Sequence, residues 1–106
     1  MIKAQDYAYR VLWSPRDGAY VGTVAEFPSL SCIEEDQGSA FFGIIDLVES
    51  VLEDIAATGE EAPVPFALRS YSGKFALRSP PEKHRQLAIE AAEQHVSINQ
   101  LVVSRL

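Results

Sequence analysis

Two basic side chains, Lys74 and Arg78, flank the alternating stretch Lys74-Phe75-Ala76-Leu77-Arg78. In extended backbone successive side chains point to opposite faces, so Lys74, Ala76 and Arg78 share one face, Phe75 and Leu77 the other. Cations in such a row suit the phosphates and base edges of DNA. An alanine methyl can meet only the thymine methyl. Further on, Ser97-Ile98-Asn99 reads as a helix start. The N–H groups of its first turn, with the Asn99 amide, form a second set suited to phosphate. Lys74 and Arg78, with Asn99 and the helix start that holds it, therefore suit contacts to DNA, and their chemistry is recognition.

These residues need elements to hold them. A lone strand over 74–78 leaves its backbone donors and acceptors without partners. Two copies of the chain can pair their strands into an antiparallel ribbon, a shape the major groove of DNA admits. A homodimer is thus expected, with Phe75 and Leu77 turned into its core. Pro80 or Pro81 suits a helix start. Leu87, Ala88, Ala91 and Ala92 then form a narrow apolar stripe, with Ile89 and Val96 beside it. Ser97 caps the next helix, whose Leu101, Val102 and Leu106 would complete the shared core.

The 106-residue chain carries a formal charge of −6, which taken whole argues against nucleic acid. Its distribution reverses that reading. Residues 1–66 hold Lys3, Arg10 and Arg16 against twelve acidic residues, a net −9. Residues 67–106 hold six bases against Glu82, Glu90 and Glu93, a net +3. An acidic front suits a basic protein and a basic back suits phosphate. With Cys32 the only cysteine, no internal disulfide or thiolate metal site can form, and an intracellular setting is expected. Neither a basic leader with an apolar core nor a long apolar run is found, so the expectation is a cytoplasmic chain without a membrane span.

The front reads as a domain over 1–68. Tyr7 to Trp13 and Ala19 to Ala25 are strand-like, joined by the turn Ser14-Pro15-Arg16-Asp17-Gly18. Leu30 to Ile33 suggests a third strand. Phe41, Ile44, Ile45, Val48, Val51, Leu52 and Ile55 have helical spacing, with Asp46, Glu49, Glu53 and Asp54 opposite. Ser39 is the expected N-cap and Gly59 the stop. Gly43, unfavourable inside a helix, implies close packing on a strand. Val64 to Leu68 is expected to return as an edge strand, giving β-β-β-α-β. Residues 69–73 would be a linker before the second module, 74–106.

Enzymatic chemistry finds little footing. Two-metal hydrolysis needs convergent carboxylates; of Asp6, Asp17, Glu26 and Asp36, Asp17 sits in a turn and Glu26 at a strand end, and nothing in their spacing gathers a cluster in one pocket. No catalytic residue, cofactor or metal ligand is assigned. His84 and His95 lack a third ligand at useful spacing, and Cys32 reads as a small buried hydrophobe. Trp13 and the hairpin tyrosines are expected to pack the core or the sheet, with partner contact as the other use. The run Glu34-Glu35-Asp36 is a solvated loop that could also steer a basic partner.

The stretch KFALRSPPE followed by AAEQHVSINQLVVSRL resembles the ribbon-helix-helix fold of the Arc and MetJ repressor class. The front, YAYRVLWSPRDGAYVGTVAEFPSL and the amphipathic helix after it, is similar to the N-terminal domain of HicB antitoxins, a partial RNase-H-like unit. In this order the two modules resemble HicB-family antitoxins with a ribbon-helix-helix tail. The resemblance implies an α+β chain of a toxin-antitoxin system. Its acidic front would mask a small basic HicA-like mRNA interferase, and its dimeric or higher-order tail would bind the operator of its own operon as a repressor. The resemblance places Lys74, Ala76 and Arg78 at the groove-facing strand positions and Ser97 and Asn99 in the phosphate-anchoring turn, which makes these five the candidate DNA-binding residues. Three departures stand out: Ala76 cannot hydrogen-bond a base, His95 replaces a helix-ending glycine, and the second helix is short. The rival reading is a stand-alone ribbon-helix-helix repressor whose front senses a small ligand or oligomerises. A metal-dependent nuclease is the third.

Overall fold

The computed structural model describes residues 2–106. The chain is α+β, a three-stranded antiparallel sheet followed by helices, and it divides into two compact units, Met1–Tyr71 and Ser72–Leu106.

In the first unit, strands β1 (Tyr9–Ser14), β2 (Ala19–Val24) and β3 (Ser31–Glu34) form a meander in the order β1-β2-β3. The hairpin register runs from Tyr9 opposite Val24 to Ser14 opposite Ala19, and Gly22 lies opposite Cys32 in the second pair. Gly18 closes the hairpin at φ 61°, and its N–H donates to the Ser14 carbonyl at 2.9 Å. Side-chain alternation puts Tyr9, Val11, Gly22, Val24 and Cys32 on one face. Helix α1 (Gln37–Thr58) covers that face, burying Ala40, Ile44 and Val48 at helical spacing. Val24, Ile44 and Val48 join Ala4 and Tyr7 in the core.

Two glycines make this close approach possible. A Cβ on Gly22 would stand 2.6 Å from the Ala40 carbonyl oxygen, and one on Gly43 would stand 2.4 Å from Cys32 Sγ. The expected contact of Gly43 with a strand is present. Asp36, three residues before Ser39, caps α1: its carboxylate accepts from the Ser39 N–H at 2.8 Å and from the Ser39 hydroxyl at 2.8 Å. The expected cap is thus a partner of the true one. An Asp two residues before a glycine already offers an acceptor in extended backbone (φ −128°). These hydrogen bonds hold the Asp36 carboxyl below its usual range. Gly59 ends the helix at φ 78°.

The expected edge strand over Val64 to Leu68 is not there. Among the described residues no strand follows α1, and the segment instead forms a 3-10 turn at Phe66–Leu68. Pro63 and Pro65 lack N–H donors, so this segment cannot supply a regular ladder. Its hydrogen bonds come from elsewhere. The half-buried to buried carboxylate of Glu26 accepts from the Ala8 N–H at 3.0 Å and from the Phe66 N–H at 2.9 Å. The Tyr7 hydroxyl donates to the Pro63 carbonyl at 2.8 Å. Arg69 and Tyr71 fold back in the same way: Arg69 Nε donates to the Val64 carbonyl and stacks over the Phe66 ring, and the Tyr71 hydroxyl donates to the Phe66 carbonyl.

In the second unit, residues 74–80 belong to neither helix nor paired strand. Pro80 and Pro81 open α2 (Pro81–Glu93), with Pro81 at the first helical position. The helix ends in a Schellman arrangement: the Val96 N–H donates to the Ala91 carbonyl and the His95 N–H to that of Ala92. His95 holds the left-handed position at φ 58°. Ser97 then caps α3 (Ile98–Ser104) in a reciprocal box with Gln100.

Candidate nucleic-acid interface

Only Ala91 and Leu101 are buried in the second unit. Too little apolar surface is removed there to hold thirty-odd residues in one arrangement. Phe75 is 77% exposed and Leu77 67% exposed, although their alternation marks them as core residues. An open groove of about 930 Å³ runs between the 74–79 segment and the two helices. Phe75, Leu77, Leu87, Ile98, Val102 and Leu106 give it an apolar lining.

Lys74, Arg78 and Asn99 reach the same groove. The structure therefore brings three of the five candidate residues around one depression. Ala76 and Ser97 are not among its lining residues. Ser97 is engaged locally: its hydroxyl accepts from the Gln100 N–H at 3.0 Å while its own N–H donates to Gln100 Oε1 at 2.9 Å. Lys74 and Arg78 are exposed and make no ion pair among the described residues, where Arg105 pairs with Glu90. An exposed pair of that kind contributes ~0–1 kcal/mol and does not replace a core.

Residues 56–106 match the model of the HicB family. HicB is an antitoxin family, and the match is consistent with such a role for this chain. It takes in the end of α1 and the whole second unit, including the groove and its basic rim. No curated protein and no solved structure matches the chain.

The carboxylates weighed for catalysis each serve the backbone or a local hydroxyl. Asp6 accepts from the Lys3 N–H, Asp17 from the Ser14 hydroxyl, Glu26 from Ala8 and Phe66, and Asp36 from Ser39. Among the described residues no three potential metal ligands converge, and no helix is long and apolar enough to cross a membrane. Cys32 is half-buried. Burial and the neighbouring Glu34 push its thiol pKa up, which makes it a poor nucleophile.

Sequence reasoning missed the part played by Glu26. The available signal was a single carboxylate placed directly after an apolar strand and before Phe27-Pro28. It also missed Phe42, which lies outside the apolar stripe of α1 and is 66% exposed.

Proposed function

We propose that the chain is an antitoxin that doubles as the repressor of its own operon. The first unit would be a partial RNase-H-like scaffold that binds and neutralises a small basic HicA-like mRNA interferase. The second would be a ribbon-helix-helix domain formed only by two chains together. One observation carries the reading: an alternating basic-apolar segment lies unpaired, with Phe75 and Leu77 in solvent, beside an apolar groove in a unit that lacks a core.

Pairing segment 74–78 with its copy in a second chain would satisfy the backbone and bury Phe75 and Leu77 of both. Four such side chains contribute about 6–12 kcal/mol at ~1.5–3 kcal/mol each. The same pairing turns Lys74, Ala76 and Arg78 outward as one surface, with Ser97 and Asn99 near phosphates on either side. Lys74 and Arg78 would carry base and phosphate contacts, and Ala76 would meet a thymine methyl. Proteins that read DNA this way neutralise phosphates, so affinity falls with salt.

The test is a gel shift on the promoter of the chain's own operon, alongside copurification with the short basic protein encoded next to it. Lys74→Ala with Arg78→Ala should weaken promoter binding by at least about tenfold and leave copurification intact. Equal loss of both activities, or promoter binding unchanged, would contradict the reading.

A further inference from the structure

Helix α1 is built against its own electrostatics. Its 22 residues include Asp46, Glu49, Glu53 and Asp54 and no Lys or Arg. Glu53 and Asp54 stand close to the C-terminal end, where the helix dipole favours cations, and no base occupies the last turn. Glu49 and Glu53 repel each other at i, i+4. Among the described residues none of these carboxylates is paired with a base.

An aromatic group lies on the same side. Phe42, Asp46, Glu49 and Glu53 follow one another at i, i+4, i+7 and i+11, a single exposed stripe. Phe41 is 41% exposed, and its ring sits 5.5 Å from Phe42 and 6.3 Å from Tyr9, both edge-on. Tyr9 belongs to β1, which has a free edge in the sheet. Glu49 is near enough to Tyr9 to contribute to the rise of its phenol pKa. The result is a ridge of rings and unpaired carboxylates beside an open strand edge.

We infer that this ridge, centred on Phe42 with Glu49 and Glu53, is the docking surface for a basic protein partner and receives arginine side chains. The inference rests on the antitoxin reading. A guanidinium can lie on a ring face while donating to an adjacent carboxylate, which an ammonium does less well. Charge excludes the other occupants. A second copy would bring a front of net −9 against its like, and nucleic acid would be repelled. A partner's arginines would relieve the repulsion that α1 carries when free. The uncovered face of the sheet, with Leu12 and Ile33 exposed, has Arg10 on it and no carboxylate, so it lacks this complementarity.

The experiment uses the full chain and the purified short basic protein encoded beside it, with binding followed by interferometry at low and high salt. Phe42→Ala should raise the dissociation constant by at least about tenfold. Glu49→Lys with Glu53→Lys should slow association and remove most of its salt dependence. Leu12→Ser, on the opposite sheet face, should bind within about twofold of the wild type. Promoter gel shifts on all variants should match the wild type, and each variant should melt in one cooperative transition, with the double-lysine variant no less stable than the wild type because cations suit the end of the helix, confirming intact chains. If the wild type binds and the two ridge variants bind equally well, the ridge is refuted and the antitoxin reading stands. If the wild type does not bind, that reading falls and takes the ridge with it.

Discussion

Replacing Leu77 with alanine acts on a side chain that a single chain leaves 67% exposed. In a chain that works alone, that change alters stability by no more than about 0.5 kcal/mol, the usual range for surface substitutions. In a paired ribbon the same side chain sits in a shared core, where leucine-to-alanine changes cost roughly 2–5 kcal/mol. Symmetry doubles the effect, so the dimer should lose about 4–10 kcal/mol, or about three to seven powers of ten in its dissociation constant. Sedimentation equilibrium across a concentration series reads this directly, and melting curves at several concentrations give a second measure. The wild type should be dimeric at micromolar concentration with a concentration-dependent midpoint, and Leu77→Ala should be monomeric. Ala76→Ser, on the outward row, should stay dimeric. A monomeric wild type, or a Leu77→Ala chain that sediments and melts like its parent, would refute the shared-core argument.

Other consequences follow from the first unit and from the end of α2. Glu26→Ala leaves the Ala8 and Phe66 N–H groups without their acceptor; at ~1–3 kcal/mol each, chemical denaturation should show a loss of about 2–6 kcal/mol. Gly43→Ala should destabilise although alanine is the better helix former, because its Cβ would meet Cys32 Sγ at 2.4 Å. Adding Cys32→Ala should restore much of that loss, and a strictly additive double-mutant cycle would show that the contact is not limiting. His95→Gly relieves a left-handed backbone at φ 58°, and a gain of roughly 0.5–1 kcal/mol should appear in the melt. Burial, with Glu26 contributing next, raises the Tyr9 phenol from 10.0 to about 12. A raised folded-state pKa means the associated stability is complete below pH 10 and lost as pH climbs towards 12. A phenolate absorbance titration of Tyr9→Phe against the wild type should therefore lack the latest-titrating component.

Strong local chemistry makes the hairpin, α1 and the start of α3 legible in the sequence alone. Aromatic and β-branched runs around Pro15 and Gly18, a heptad-like apolar stripe, and Ser97 followed by Gln100 each point to one local structure. The misreadings have specific causes. Val64 to Leu68 looked like a strand by its apolar content, yet Pro63 and Pro65 removed two donors and the tyrosine and glutamate partners lie far away in sequence. Ser39 and Asp36 both have capping chemistry, and only backbone geometry shows which one holds the cap. The candidate site was legible in part. Lys74, Arg78 and Asn99 share a groove, whereas Ala76 and Ser97 lie outside its lining. Alternation gives the face on which a residue lies but not which other segment that face will meet.

The two units differ most in how far each satisfies itself, and that difference argues for their separate roles. The first has a packed core, and its buried carboxylate bridges two backbone donors. Among the described residues no buried polar side-chain atom lacks a partner. What remains unsatisfied there is charge on a rigid helix, an imbalance that an oppositely charged surface can correct without any refolding. The second unit has two buried residues and large apolar side chains in solvent, an imbalance that only further burial can correct. On the proposed reading, a chain arranged in this way would bind a protein on a preformed face, while a DNA-facing half would still depend on dimerisation. Dilution should then abolish promoter binding before it abolishes partner binding, and parallel titrations of the two activities would reveal that order.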